Sequence, residues 1–167
     1  MLESVSLTIS SWRPDPARDG QSRSIADGTT QAMLGLVHAP PSDPWLGWLR
    51  SRRLDVLEGE DAAFLMTLIR PWGLARAWRV YDAEERNVGT LHARQLVDSE
   101  GGARGFIDSA QPGSGCVLGP QSQTLAEYDT ESDGTTRLQF AADLEANPFL
   151  RMLLLGAVVV RGGPPNS

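Results

Sequence analysis

Apolar positions along this chain recur mostly at every second residue, in short runs separated by Gly, Pro, Asp, Asn and Ser. That is the pattern of half-buried β-strands joined by turns. The runs begin with VSLTI at 5–9, QAMLGLV at 31–37, LDVL at 54–57, FLMTLIR at 64–70 and WRVYD at 78–82. They continue with VGTLHA at 88–93, GFID at 105–108, CVLG at 116–119, TLAEYD at 124–129 and TTRLQF at 135–140. Several pairs lie close enough for hairpins, and ESDG at 131–134 carries the Asp-Gly pair that tight turns favour. An internal echo supports a recurring unit: VYDAEERNVG, FIDSAQPGSGCVLG and EYDTESDGTT each place Asp near a strand end and then turn.

One segment breaks the two-residue rhythm. NPFLRMLLLGAVVV at 147–160 is bracketed by helix signals: Asn147 as N-cap, Pro148 at the first helical position, Arg161 in the last turn. Gly162 suits a left-handed C-cap and Pro164 follows it. The expected helix, 148–161, is roughly 21 Å long at about 1.5 Å per residue, against about 30 Å of bilayer hydrocarbon. It is too short to span a membrane unaided. Apart from Arg151 it is apolar or Gly on every side, which marks a helix surrounded by protein. Phe149, Leu150, Met152, Leu153, Leu154, Leu155, Val158 and Val159 are its expected core residues.

An antiparallel sheet of about ten strands must hide its edges, and closing around that helix does so. The expected fold is therefore all-β with a central helix: a closed antiparallel barrel enclosing a hydrophobic C-terminal α-helix, in a single domain over 1–167. The polar stretches 13–30 and 162–167 are expected to be flexible.

Composition trims the functional classes. With 167 residues and 41% hydrophobic content the chain supports one domain with a real core. All 15 positive charges are Arg, a codon-bias signature that points to a bacterial source. The net charge of −6 argues against a nucleic-acid partner, which clustered cations would have to hold. Cys116 is the only cysteine, so intramolecular disulfides and CxxC zinc sites are excluded. MLESVSLTIS lacks a basic start and a long apolar run, unlike a secretory signal, and the expected location is the cytoplasm, peripheral to a membrane if lipid is the partner.

Candidate chemistry is sparse. Asp129, Glu131 and Asp133 stand at alternate positions before Gly134, like the first half of a calcium loop, but Phe140 falls where the bidentate carboxylate belongs. Solvated turn carboxylates explain the run better. His38 and His92 are the only histidines; a Cys116–His92 dyad is conceivable, though no spacing requires it. No cofactor is expected. SDPWLGWLRSRR at 42–53 has more character: Asp43 and Pro44 can open a short helix with Trp45, Trp48 and Leu49 on one face. Arg50, Arg52 and Arg53 then bring three cations beside two indoles, a combination suited to a lipid head-group boundary or an anionic protein partner. The alternative is that the tryptophans cover a barrel mouth and the arginines meet acidic neighbours.

LDVLEGEDAAFLMTLIR, WRVYDAEERNVGTL, GFIDSA and NPFLRMLLLGAVVV together resemble the tubby C-terminal-like superfamily, which includes phospholipid scramblases and LURP-one-related proteins. The resemblance covers 50–161, and the first 50 residues only loosely, through DGTTQAMLGLV and PWLGWL. It implies a roughly twelve-stranded barrel threaded by the last helix. It transfers function poorly. Tubby domains hold phosphoinositide head groups with Lys and Arg, yet no such cluster matches here residue by residue and Lys is absent. The calcium and acylated cysteines proposed for scramblases find only Cys116, in an expected strand. The expected role is a non-enzymatic binding or scaffold module that associates with membrane lipids or an anionic partner. A scramblase-like phospholipid transporter and an enzyme with an unrecognised site are the alternatives.

Overall fold

The computed structural model describes residues 1–41, 52–59, 61–72, 77–111, 113–142, 144 and 147–162. Among the described residues thirteen strands and one helix follow one another. The strands are β1 (Ser6–Ile9), β2 (Arg13–Pro14), β3 (Gln21–Asp27), β4 (Met33–Ala39), β5 (Arg52–Glu58), β6 (Ala63–Arg70) and β7 (Trp78–Asp82). Then come β8 (Asn87–Leu91), β9 (Gln95–Asp98), β10 (Ala103–Gln111), β11 (Ser114–Leu118), β12 (Thr124–Thr130), β13 (Thr136–Phe140) and the helix α1 (Pro148–Arg161).

From β3 to β13 each strand pairs antiparallel with the next. β1 closes the ring by pairing with β13 on one edge, Leu7 opposite Leu138, and with β3 on the other, Ile9 opposite Ile25. The two-residue β2 adds to the free end of β3, leaving twelve strands in a closed antiparallel barrel. Closure removes the unpaired edges that an open sheet of this size would expose.

Alternation explains which residues fill the barrel. Leu7 and Ile9, Leu54 and Val56, Met66 and Leu68, and Leu138 and Phe140 all point inward and are almost fully buried. Among them runs α1, whose residues Met152 to Val159 are buried without interruption. Gly156 lets the helix pass close to the wall: a Cβ there would stand 2.9 Å from Leu68 Cδ2 and 3.2 Å from Leu91 Cδ1. The Asn147 side chain accepts hydrogen bonds from the Phe149 and Leu150 N–H groups at 3.0 and 3.3 Å, satisfying two of the three free donors left at the helix start, where Pro148 has no N–H.

Four expectations are corrected. Phe149 is 44% exposed and Leu150 only half-buried, because the first helical turn sits at the barrel's entry mouth. Gly162 is not left-handed, with φ −84°; its N–H bonds to Val158 and its carbonyl to side chains. A Cβ at 162 would stand 2.3 Å from Arg23 Nη1, so close approach explains the glycine. The stretch 13–30, expected to be flexible, contains β2 and β3. β3 escapes notice because its inward positions are Arg23 and Ile25, one of them charged.

The echoed turn is real but falls partly elsewhere. In four hairpins a five-residue loop repeats one bonding pattern: Asp82–Arg86, Asp98–Gly102, Gly119–Gln123 and Glu131–Thr135. Each first residue donates its N–H to the fifth residue's carbonyl and accepts from the fourth residue's N–H. That fourth residue has positive φ in every case: Glu85, Gly101, Ser122 and Gly134. Asp108, in contrast, lies inside β10 opposite Cys116 and caps no turn.

Candidate functional site

The helix leaves the barrel at its exit mouth, where β6 and β8 end and β5 and β7 begin. Register brings an unusual group together there. Arg52 faces Arg70 across the β5–β6 pair and continues the inward parity of Leu54 and Leu68. Leu68 opposite Val80 sets Trp78 next to Arg70, whose guanidinium lies 5.7 Å from the indole centroid. Burial lowers the Arg70 pKa, and repulsion from Arg52 lowers it further. Among the described residues neither arginine has a carboxylate within ion-pair distance. Trp72, just past β6, is 69% exposed.

Beside this pair lies a crevice of about 210 Å³ between the last turns of α1 and the barrel wall. Trp78 forms one wall; Leu91, Ile107 and Ala157 form the floor, and His92 and Arg161 stand at the rim. Arg161 is exposed, donates from Nη2 to the Ala93 carbonyl at 2.8 Å and lies 5.8 Å from the Tyr128 ring centroid.

The same mouth is locked by a residue that the pattern of the sequence does not single out. Arg23 is 1% exposed and donates to four separate acceptors. Its Nε binds the Ser10 carbonyl, Nη1 the Gly162 carbonyl at 2.9 Å, and Nη2 the Gly134 carbonyl at 3.0 Å and Thr136 Oγ1 at 3.2 Å. Trp12 packs against the guanidinium and its own indole N–H also donates to the Gly162 carbonyl. Burial pushes the Arg23 pKa down to about 10. The cation therefore persists at neutral pH and offsets the partial negative charge of the helix C-terminus.

The residues singled out from sequence fare unevenly. Trp45, Trp48 and Arg50 lie outside the described residues. Arg52 and Arg53 are not on a helix: both belong to β5 and point to opposite faces of the wall. Arg53 is spent on the outer face, its Nε 2.7 Å from Asp55, which also accepts from Thr67 Oγ1 at 2.9 Å. The half calcium loop does not converge. Asp133 accepts from the Thr135 N–H and hydroxyl, Glu131 pairs with Arg137 at 2.8 Å, and Asp129 stands on β12 opposite Ser114. Among the described residues no three His, Cys, Asp or Glu side chains are grouped as a metal ion would need.

Cys116 and His92 line different depressions. His92 rims the crevice at the helix end, while Cys116 lies on the outer face among Asp108, Glu127 and Tyr128. Burial raises the Cys116 pKa, and the carboxylates of Asp108 and Glu127 raise it further, so the thiol is held neutral and a weak nucleophile. Trp78, Arg70 and Arg161 were not singled out, because their meeting depends on strand register and on where the helix ends.

The geometry defines a helix-filled, twelve-strand antiparallel barrel with a basic, aromatic exit mouth. No family model matches the chain, and no curated protein matches it. Among solved structures it is similar to an X-ray structure of a protein from Arabidopsis thaliana, with a TM-score of 0.55 at 13% identity, covering 90% of this chain and 88% of that one. At that identity the likeness concerns the fold alone. Among the described residues no helix is long and apolar enough to cross a membrane.

Proposed function

We propose that the chain is a non-enzymatic binding module of the tubby C-terminal-like, LURP-one type, which associates with anionic membrane surfaces through its exit mouth. One observation carries this reading: Arg52 and Arg70 stand side by side with Trp78 against Arg70, in a chain of net charge −6, with no carboxylate partner among the described residues. Like charges held together and partly desolvated favour an incoming anion over water. The exposed Trp72 beside them suits the head-group boundary, where indoles settle. The family reading is supported by the fold likeness and by the W-R-V-Y-D strand end of β7 followed by the V-G of β8. A transporter reading draws less support, since the helix it would insert is enclosed by the barrel. An enzyme built on Cys116 and His92 draws less still, given their separate surroundings.

Co-sedimentation with vesicles of phosphatidylcholine alone, and of phosphatidylcholine with phosphatidylserine, tests the proposal. Binding is expected only to the anionic vesicles, weakening with salt. Each of Arg52→Gln and Arg70→Gln should reduce the partition coefficient about fivefold, from about 1 kcal/mol per cation near such a surface. Equal binding to both vesicles, or anionic binding that neither substitution alters, would refute it.

A further inference from the structure

The crevice at the end of α1 has a chemistry distinct from the Arg52–Arg70 pair, and we infer that it binds a small monocarboxylate carrying an aryl group or an alkyl chain of about six to eight carbons. Three observations lead there. The floor is apolar and rigid: Leu91 is 2% exposed, Ile107 8% and Ala157 1%, so its shape is fixed by the core and not by mobile surface chains. The crevice, about 210 Å³ and open to solvent on one side, has room for a ring or a short chain and not for a full lipid tail. The third is the charge at the rim.

Arg161 is positioned for a ligand more than for its own helix. The carbonyl just beyond the helix, that of Gly162, is already taken by Arg23 and Trp12, so the helix end has its cation. Arg161 instead reaches back over the crevice, fixed by one N–H on the Ala93 carbonyl and by the Tyr128 ring. A guanidinium has five N–H donors. Among the described residues Arg161 meets no carboxylate, which leaves a fork of donors held in place for the bidentate geometry that carboxylates accept. The ligand's apolar end then lies against Trp78 and Ile107 while its carboxylate meets Arg161, with the His92 ring beside it as a second polar contact.

The test uses the whole chain titrated with octanoate and, separately, with 1-octanol, followed by amide chemical shifts. Octanoate should give saturable shifts centred on 91–93, 107 and 157–161, and octanol should bind about tenfold more weakly because it lacks the charge. Arg161→Gln, an exposed change that leaves the core intact, should weaken octanoate about tenfold and leave octanol unchanged. Val160→Phe should fill the crevice and abolish both. The vesicle assay on the same two variants keeps the outcomes separate: retained vesicle binding with lost octanoate binding assigns the crevice its own ligand. No saturable shift in the folded protein, octanol binding as tightly as octanoate, or octanoate affinity unchanged in Arg161→Gln would each overturn the inference.

Discussion

At the scale of single residues, Arg23 shows how one side chain can hold a closed barrel together. Its acceptors come from the end of β1, the β12–β13 turn, the start of β13 and the cap of α1, which are far apart in sequence. Removing the guanidinium strands buried carbonyl oxygens and leaves a void against Trp12, so both the lost bonds and the unmade ones count. Arg23→Ala is expected to destabilise the domain by about 2 to 4 kcal/mol, or roughly 5 to 15 °C in melting temperature for a chain of this size. Thermal denaturation followed by circular dichroism measures it, and a melting temperature within about a degree of wild type would rule out the keystone role. The same scale explains why the exit mouth was hard to read in advance. Arg70 and Trp78 belong to different strands and meet only because Leu68 pairs with Val80, a register that no local pattern specifies.

At the scale of elements, the repeated five-residue turn is the unit from which the wall is built. Two of its copies, and the longer β3–β4 turn, begin with an aspartate whose carboxylate binds the turn's own N–H groups. Asp27 accepts from Thr29 and Thr30, Asp82 from Glu84 and Arg86, and Asp98 from Glu100 and Gly102. Arg86 and Arg104 add guanidinium contacts to Asp82 at 2.7 Å and to Asp98 at 2.6 Å. Burial pushes the Asp82 and Asp98 carboxyls up, but those bonds and charges outweigh it and hold both below their ordinary value. For Asp27 the turn N–H groups dominate and act in the same direction. A carboxyl whose pKa is lower folded than unfolded stabilises the protein above its unfolded pKa, about 3.9, and loses that contribution as pH falls through the folded value. The melting temperature should therefore fall below about pH 4. In Asp82→Asn with Asp98→Asn the deficit against wild type should be full at pH 7 and close toward pH 2, as the native carboxyls protonate. A deficit that stayed constant across that range would show that these carboxylates act through shape alone.

Most elements were legible because burial wrote itself into alternation: β6, β7, β12 and β13 carry Leu, Met, Val, Tyr and Phe at most of their inward positions. The helix was legible through Asn147, Pro148 and its apolar circumference. β3 was not, since a charged side chain fills one of its two deeply buried positions and serine flanks it. Nor was β9, whose four residues are too few to show a period. The expected short helix before β5 lies outside the described residues, and the arginine cluster expected after it divides for a related reason. Arg52 and Arg53 look like a cluster in sequence, but in a strand successive side chains face opposite sides.

At the scale of the whole molecule, the sleeve and the rod depend on each other. A ring of twelve strands without a filling would leave its inward Leu, Val and Phe facing a void, and a helix apolar on all sides without a sleeve would expose them to water. The two share one core, to which the wall contributes Leu7, Val37, Met66 and Leu138 and the helix Leu153, Leu154 and Val159. The exit mouth inherits its rigidity from that core: Trp78, Leu91 and Ala157 belong to strands and helix, not to loops.

The most direct test of this arrangement is the thermal unfolding of Leu154→Asp, at a position 0% exposed in the middle of α1. An unpaired carboxylate there costs several kcal/mol, comparable with a total stability of about 5 to 15 kcal/mol. The account predicts that the cooperative transition is lost or shifted far down in temperature. A cooperative transition at the wild-type temperature would mean that the helix does not fill the barrel.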